Sequence, residues 1–531
     1  MGRAARSKAI ERKPWFEIDG HDEKCRKDVT TGGTSTDVTL GLATLLFIYR
    51  AIRVRVRAST PPGPSGYPFI GLTPRAFYGD LLGSLAKWRM EFGDLLFVKV
   101  VGRPVAIVNG FAVADELFNK RCGILSDKPC RVMAHLCGYN QALSFMPNAD
   151  DRHTRTRRLM HGALNAKAVP LRHSIMEMET RRFIGDVLQN SCDLQRKTHL
   201  FYSKMFLSFT LGYTPSSEDD LLVVLSKNVA DNASAIMSLN RRPWVEFLPI
   251  MKSLPIWCTG WTTARSIYSH QEELQKLLQL SDSFVSANLG EHAVSQSYLG
   301  RLFNRALSED EKSIAIHSSI SIYGAAGDTL TSLTMSFFMA MLLRPDVQEN
   351  AQQEIDAVIG RKRMPTFSDR VRLPYINAVV TELFRWAPPI PLTSRIISEN
   401  LSFNGHILPA GTTLIANMWD MTHNPDQFPQ PESFKPERFY APQDGRDEAF
   451  LETSQRFIKR IMFGFGRRAC PGRFQADAWL WIVVASVLAT TNVCLPDGVV
   501  CPNPEYEISV IRQLCPFPCK LQARVPEVKE L

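Results

Sequence analysis

No two cysteines stand in a Cys-x-x-Cys spacing anywhere in the chain, and the eleven cysteines, an odd number, fall without the intervals of a disulfide framework. That pattern argues against structural zinc and against a disulfide scaffold, and favours a reducing compartment. Lys and Arg outnumber Asp and Glu by 62 to 53, for a formal net charge of +9. The basic residues are nevertheless dispersed and form no tract interleaved with aromatics, so nucleic acid is not an expected partner. The surplus suits an acidic protein partner and an anionic membrane surface. Internal repeats are absent, and so is any flexible linker beyond the N-terminal region, so the 531 residues read as one large helical body. Near the start the one strongly apolar run, Val38 to Tyr49, falls short of the about 20 apolar residues that a spanning helix wants.

That run is followed at once by Arg50, Arg53, Arg55 and Arg57. If Ala51 to Val56 joins it and the arginines snorkel, residues 38–57 form a membrane anchor with a basic flank. The alternative is a core helix or strand. Charge alone leaves the orientation open, because Lys24, Arg26 and Lys27 precede the run. Residues 1–37 are polar, charged and rich in Thr and Gly, and are expected to be disordered. Residues 58–68 contain Thr60-Pro61-Pro62-Gly63-Pro64-Ser65-Gly66-Tyr67-Pro68, whose prolines fix φ and deny helix, giving a stiff hinge before a body from 69 to 531. Leu95 to Val101 and Val105 to Asn109 cluster β-branched residues around Gly102-Arg103-Pro104, which predicts a hairpin with those three at the turn. From about 155 to 385 apolar residues recur at helical spacing, with Gly or Pro only at breaks. Residues 245–257 are apolar but broken by Pro249 and Pro255, so one long helix is not expected there.

Near the C-terminus stands Phe463-Gly464-Phe465-Gly466-Arg467-Arg468-Ala469-Cys470-Pro471-Gly472-Arg473. Glycine on both sides of the cysteine lets the backbone fold tightly and come within contact distance of a flat ligand. Arg468 supplies positive charge, and the apolar helix predicted after Pro471-Gly472 would favour a thiolate through its N-terminal dipole. A sheltered, electropositive thiolate is what an axial ligand to haem iron requires. The pattern Phe-x-x-Gly-x-Arg-x-Cys-x-Gly resembles the haem-binding loop of cytochrome P450 at all five fixed positions.

Other stretches carry the same resemblance. Gly324-Ala325-Ala326-Gly327-Asp328-Thr329 interrupts an apolar helix expected over Ile320 to Leu343 and is similar to the family's Ala-Gly-x-Asp-Thr-Thr, with Ala326 where Gly is usual and Leu330 where Thr or Ser is usual. Two glycines there lower helix propensity by about 1 kcal/mol each, so the ladder is expected to open and admit water; taken alone, such a patch is more often tight helix packing. Glu382-Leu383-Phe384-Arg385 and Pro436-Glu437-Arg438-Phe439 resemble the family's buried Glu-Arg-Arg triad. His153 stands where the family's Trp-x-x-x-Arg helix has tryptophan, with Arg157 at its arginine.

The resemblance runs from about residue 60 to 524 and implies a mostly α fold with small β-sheets, in the style of fungal secondary-metabolism enzymes. It implies haem b, with Cys470 on the iron and Phe463 and Gly472 in the cofactor loop. Arg157, Arg395 and Arg468 would meet the haem carboxylates. Asp328 and Thr329 would be catalytic, delivering protons during oxygen activation. Ile322, Ala325, Ala326, Ile390, Leu392 and Thr393 are the expected pocket wall. The implied activity is a monooxygenase acting on a lipophilic substrate, a terpenoid or polyketide-like metabolite. Electrons would come from an NADPH-cytochrome P450 reductase docked on Lys459, Arg460, Arg467 and Arg473, and the enzyme would sit on the endoplasmic reticulum membrane, facing the cytosol. Residues 245–257 resemble the loop that dips into the membrane, with a buried loop the alternative. Two rivals keep the haem: a reductase-independent isomerase or peroxygenase, and a non-catalytic haem-binding protein.

Overall fold

The computed structural model describes residues 59–524 except 74–79, 190–192, 239–243, 306 and 441–447. Contacts divide the chain between Ala58 and Ser59, so the expected tail and anchor lie outside the described residues.

Eleven longer helices carry the second unit: α1 (Leu81–Phe92), α2 (Asp151–Leu164), α3 (His173–Gln189), α4 (Leu194–Leu211), α5 (Leu221–Met237), α6 (Trp261–Ala287), α7 (Glu309–Leu343), α8 (Pro345–Val358), α9 (Pro374–Trp386), α10 (Glu448–Met462) and α11 (Arg473–Thr490). Their starts are written locally. Asp80, Asp150, Asp193 and Asp220 each accept a backbone N–H at the N-cap, satisfying a donor that the helix itself cannot. Pro345 and Pro374 open α8 and α9, where a missing N–H does no harm.

The main sheet has the order β1 (Leu95–Val100), β2 (Arg103–Val108), β6 (Thr413–Asn417), β3 (Leu392–Ile396), with only β2 and β6 parallel. Smaller pairs are β4 (Leu401–Phe403) with β5 (His406–Leu408), β7 (Thr491–Cys494) with β10 (Lys520–Ala523), and β8 (Tyr506–Ile508) with β9 (Arg512–Leu514). The predicted hairpin is present, but its turn is Val101-Gly102, at φ 48° and 75°. Two consecutive positive φ values match the twist of a two-residue hairpin, which leaves Arg103 and Pro104 inside β2, paired with Val100 and Lys99. Phe97 of β1 also donates its N–H to Pro62, 2.9 Å away, so part of the proline-rich stretch lies along the sheet edge.

α7 departs from expectation twice. It begins at Glu309, eleven residues before Ile320, because Ser308 and Glu311 form a capping box. It also runs unbroken through Gly324 and Gly327 to Leu343. Burial of its C-terminal half, from Leu330 to Leu342, outweighs the local cost of two glycines. This is the one described helix long and apolar enough to cross a membrane, and 83% of that window is buried within the protein.

The proximal side is held by charge. Glu382 and Arg385 of α9 are both at 0% exposure and form a bidentate pair, Nε–Oε2 and Nη2–Oε1 each 2.7 Å. Arg438 Nε lies 3.4 Å from Glu382 Oε1, and the Lys435 N–H donates to the same oxygen at 2.8 Å. Burial pushes the Glu382 carboxyl up from its ordinary range, and the bonds to Arg385 oppose that shift. Removing one member strands a buried charge, so Glu382→Ala or Arg385→Leu is expected to destabilise the body by about 3–5 kcal/mol. Soluble yield and thermal midpoint check this; a loss under about 1 kcal/mol would place the pair among solvated ion pairs.

Candidate functional site

The cysteine loop is built between α10 and α11. Phe463 donates its N–H to Lys459 as α10 ends, and its carbonyl accepts the Cys470 N–H at 2.8 Å, closing the loop on itself. Gly464 and Gly466 take φ of 73° and 58°. At Gly466 a Cβ would lie 2.2 Å from the Phe118 carbonyl oxygen, so no other residue fits; its N–H donates to Asn119 Oδ1 at 2.6 Å. The glycine after the cysteine behaves differently. Gly472 has φ of −88° and serves as N-cap of α11, and a Cβ there would meet the Cys470 sulfur at 3.9 Å, ordinary contact. What Gly472 contributes is its N–H, bonded to that sulfur. Burial pushes the Cys470 thiol up, while the Gly472 N–H and the charges of Arg157 and Arg473 favour the thiolate. The activating cations are therefore Arg157 and Arg473. Arg468 turns away and donates to the carbonyls of Ser126, Leu143 and Met146 at 2.8, 3.2 and 2.6 Å.

Arg468 instead joins a cluster of cations. Arg395 of β3, at 3% exposure, donates to the Ser394 carbonyl and Thr393 Oγ1. Arg157 of α2 donates to the Ala469 carbonyl at 3.0 Å. Lys128 faces Arg395 and Arg468 from the loop before α2. Burial and mutual repulsion lower the Arg395 guanidinium to about 9 and the Lys128 ammonium well below its usual value; burial lowers Arg468 to about 10, with the Asp127 carboxylate opposing and Arg157 adding to the shift. Beside them, burial and the charges of Arg468 and Arg157 lower the His153 imidazole to about 4. Its Nε2 is buried without a hydrogen-bond partner. None of the four cations has a carboxylate at ion-pair distance among the described residues. Lys128 escaped the sequence reading because nothing local marks a lysine before Pro129 as buried. The Ile396 N–H donates to the Asp127 carbonyl at 2.9 Å, and that bond brings this loop to β3.

A cavity of about 420 Å³ opens beside α7. Its α7 wall is the stripe His317, Ile320, Ser321, Gly324, Ala325, Thr329, spaced at three and four residues. Of the expected wall, Ala325, Ile390, Leu392 and Thr393 line it. Ile322 and Ala326 do not; they lie off the stripe, and Ile322 is buried in the core. Thr329 Oγ1 donates to the Ala325 and Ala326 carbonyls at 2.8 and 3.2 Å, so its hydroxyl sits over an intact helix where an opened ladder had been expected. Asp328, next in sequence, points elsewhere: it is buried, and its Oδ1 lies 3.4 Å from His199 Nε2 on α4. His199 was missed because its partner is set by helix packing.

The family model for cytochrome P450 matches residues 61–514. The chain belongs to the cytochrome P450 family. Curated relatives agree: it is 33% identical to cytochrome P450 monooxygenase 105 of Postia placenta, over 87% of this chain and 88% of that one. Cytochrome P450 monooxygenase ppsD of Aspergillus oryzae is 34% identical over 89% and 90%, and claT of Ampulloclitocybe clavipes 30% over 92% and 96%. Membership brings a haem ligated by a cysteine thiolate, and makes the chain an oxidoreductase of the monooxygenase type. The residues present fit such a group. A sulfur with thiolate-favouring neighbours, four cations with no carboxylate at ion-pair distance among the described residues, and an unpartnered imidazole nitrogen are what an anionic porphyrin needs.

Gly466→Ala is expected to reduce haem incorporation severely, because both the positive φ and the Phe118 carbonyl reject a Cβ. Gly472→Ala should keep most of it. Haem-to-protein absorbance ratios check the pair, and equal retention in both would contradict the assigned geometry.

Proposed function

We propose that Cys470 provides the axial thiolate of this cytochrome P450 and that the enzyme hydroxylates a lipophilic small molecule, a terpenoid or polyketide-like metabolite, with dioxygen and electrons from an NADPH-dependent reductase. The observation that carries the reading is the Cys470 sulfur, held by the Gly472 N–H beside Arg157. When bound, the haem supplies reductive activation of dioxygen and insertion of one oxygen atom into a C–H bond. Arg395, Arg468, Arg157 and Lys128 hold its carboxylates, and His153 Nε2 donates or accepts at its edge. Phe463 packs edge-on against Phe384, ring centroids 5.4 Å apart, and fixes the start of the loop.

The rest of the chemistry belongs to α7. Thr329 Oγ1 is the hydroxyl at the cavity, and it holds and passes a proton there. Asp328 takes its proton from the His199 side of α4, so the pair acts as a two-sided relay: carboxylate toward the helix packing, hydroxyl toward substrate. The cavity has the size of a small-molecule site, and its apolar walls exclude water. Apolar exposure supports uptake from a bilayer. Residues 244–259 form three short 3₁₀ turns separated by the prolines, with Ile250 at 66% and Trp257 at 73% exposure. This supports a membrane face on the endoplasmic reticulum, with the body in the cytosol.

Two of the four expected docking cations have internal partners: Lys459 pairs with Asp477 at 2.8 Å and Arg460 with Asp115. Arg467 and Arg473 are exposed and carry the proposed reductase contact. Arg467→Glu is expected to raise the KM for reductase roughly tenfold at low salt, less at high salt, as rim charges do; a salt-independent KM would remove Arg467 from the interface.

Incubation with NADPH, reductase and ¹⁸O₂ tests the function: label enters the product, and none appears without the reductase. Product formation from peroxide alone, with no NADPH requirement, would favour the reductase-independent reading. Thr329→Ala is expected to divert consumed NADPH into hydrogen peroxide, and His199→Gln to slow turnover with KM unchanged. The ratio of product to NADPH checks both; unchanged coupling in Thr329→Ala removes it from the relay.

A further inference from the structure

The cavity wall away from α7 is more basic than a purely apolar substrate requires. Arg103, at the start of β2, and Arg131, in the loop before α2, both line it. Burial lowers the Arg131 guanidinium, the Glu246 carboxylate opposes that shift, and Arg103 stands close enough for its charge to lower it further. Among the described residues each spends one bond on the protein: Arg103 Nη2 donates to the Glu246 carbonyl at 3.0 Å, and Arg131 Nη2 to the Met237 carbonyl at 3.3 Å. A guanidinium carries five N–H donors, so most are left for something else.

The lining residues include one acid, Glu246. Its two carboxylate oxygens are taken by the backbone N–H groups of Met133 and Val132, at 2.8 and 3.2 Å. It neutralises at most one of the two arginines and bonds neither through its carboxylate. The haem does not change this count at the proposed site: its two carboxylates and the Cys470 thiolate, with the Asp127 carboxylate that acts on Arg468, match the four cations Lys128, Arg157, Arg395 and Arg468, and Lys128, which lines the cavity too, adds to the positive charge that Arg131 faces. One positive charge of the Arg103, Arg131 and Glu246 set therefore remains on the cavity wall. Leu81, Leu85, Val105, Ile107, Ile390 and Leu392 make most of the remaining wall apolar.

We propose that the substrate is a lipophilic carboxylic acid, its carboxylate bound by Arg131 and Arg103 while its hydrocarbon body fills the cavity toward Thr329. This rests on the monooxygenase reading and narrows it: the carboxylate anchors one end, so oxidation falls on carbons remote from it. Bidentate guanidinium binding of a carboxylate inside a largely apolar cavity discriminates strongly against a neutral analogue, because the ester leaves the one surplus positive charge without a counter-charge.

Holoenzyme showing the reduced carbonyl band of thiolate ligation is titrated with two matched pairs, dodecanoic acid with methyl dodecanoate and abietic acid with methyl abietate. The haem absorption change on binding gives Kd without turnover. At least one acid is expected to bind roughly tenfold or more tighter than its ester, the scale of a charge-assisted contact. Arg131→Leu should abolish that preference by weakening the acid alone, and Arg103→Leu should reduce it. Where either variant lacks the carbonyl band, Arg131→Gln and Arg103→Gln serve in its place. Esters binding as tightly as acids in both pairs, or a preference that survives both substitutions, overturns the proposal. Absence of the band in the unmodified protein would instead overturn the haem-thiolate reading, so the two failures are distinguishable.

Discussion

Taking a cation out of water costs several kcal/mol unless an anion is placed against it, and this protein gathers Lys128, Arg157, Arg395 and Arg468 at one site, Arg395 buried and the others half-buried, with no carboxylate at ion-pair distance among the described residues. Three of the four come from separate parts of the fold, α2, β3 and the cysteine loop, and the fourth from the loop tied to β3 through Asp127 and Ile396. A chain whose folding had to accept that repulsion without a counter-ion would lose stability. A chain whose folding is completed by a dianionic porphyrin gains from it, because ligand binding to the native state adds directly to stability. The deficit of negative charge is thus the feature that ties the cysteine loop, the main sheet and α2 into one site.

Around that deficit the structure separates rigid support from chemistry. Glu382, Arg385 and Arg438 are charged and buried as well, but they satisfy one another and hold α9 against the segment before α10. They touch neither cavity nor cysteine. α7 does both jobs: its C-terminal half is core, and one stripe of its N-terminal half faces the cavity with Thr329 at the end. Because the helix stays intact at Gly324 and Gly327, Thr329 reaches the cavity by side-chain placement on a straight wall. The adjacent Asp328 is rotated about 100° away by helical geometry, which is why two consecutive residues can connect α4 on one side with the cavity on the other.

Features written in contiguous residues were legible in the sequence. The cysteine loop, the Glu-x-x-Arg pair, the helix after Gly472, the hairpin near residue 100 and the proline-broken stretch near 250 all depend on neighbours a few positions apart. The misreadings share an opposite cause. The open α7 ladder rested on glycine propensity, and packing overrode it; Ile322 and Ala326 were placed in the wall by helical spacing from Thr329, but Thr329 stands at the edge of the lining stripe and both fall beyond that edge. Arg468 was assigned to the sulfur by sequence distance, whereas the loop turns it toward Ser126 and Met146 and leaves Arg157, from α2, beside the thiol. Lys128, Arg131, His199 and Glu246 carry no local signal at all, since each acquires its role from a segment far away in the chain.

The central claim is that one sulfur, Cys470, ligates a haem held by these cations. The most direct measurement is the reduced carbonyl difference spectrum of the purified full chain beside Cys470→Ser. The account predicts the long-wavelength band of thiolate ligation in the first and its loss in the second. A native protein that folds without pigment, or a band that persists when the sulfur is removed, would contradict it.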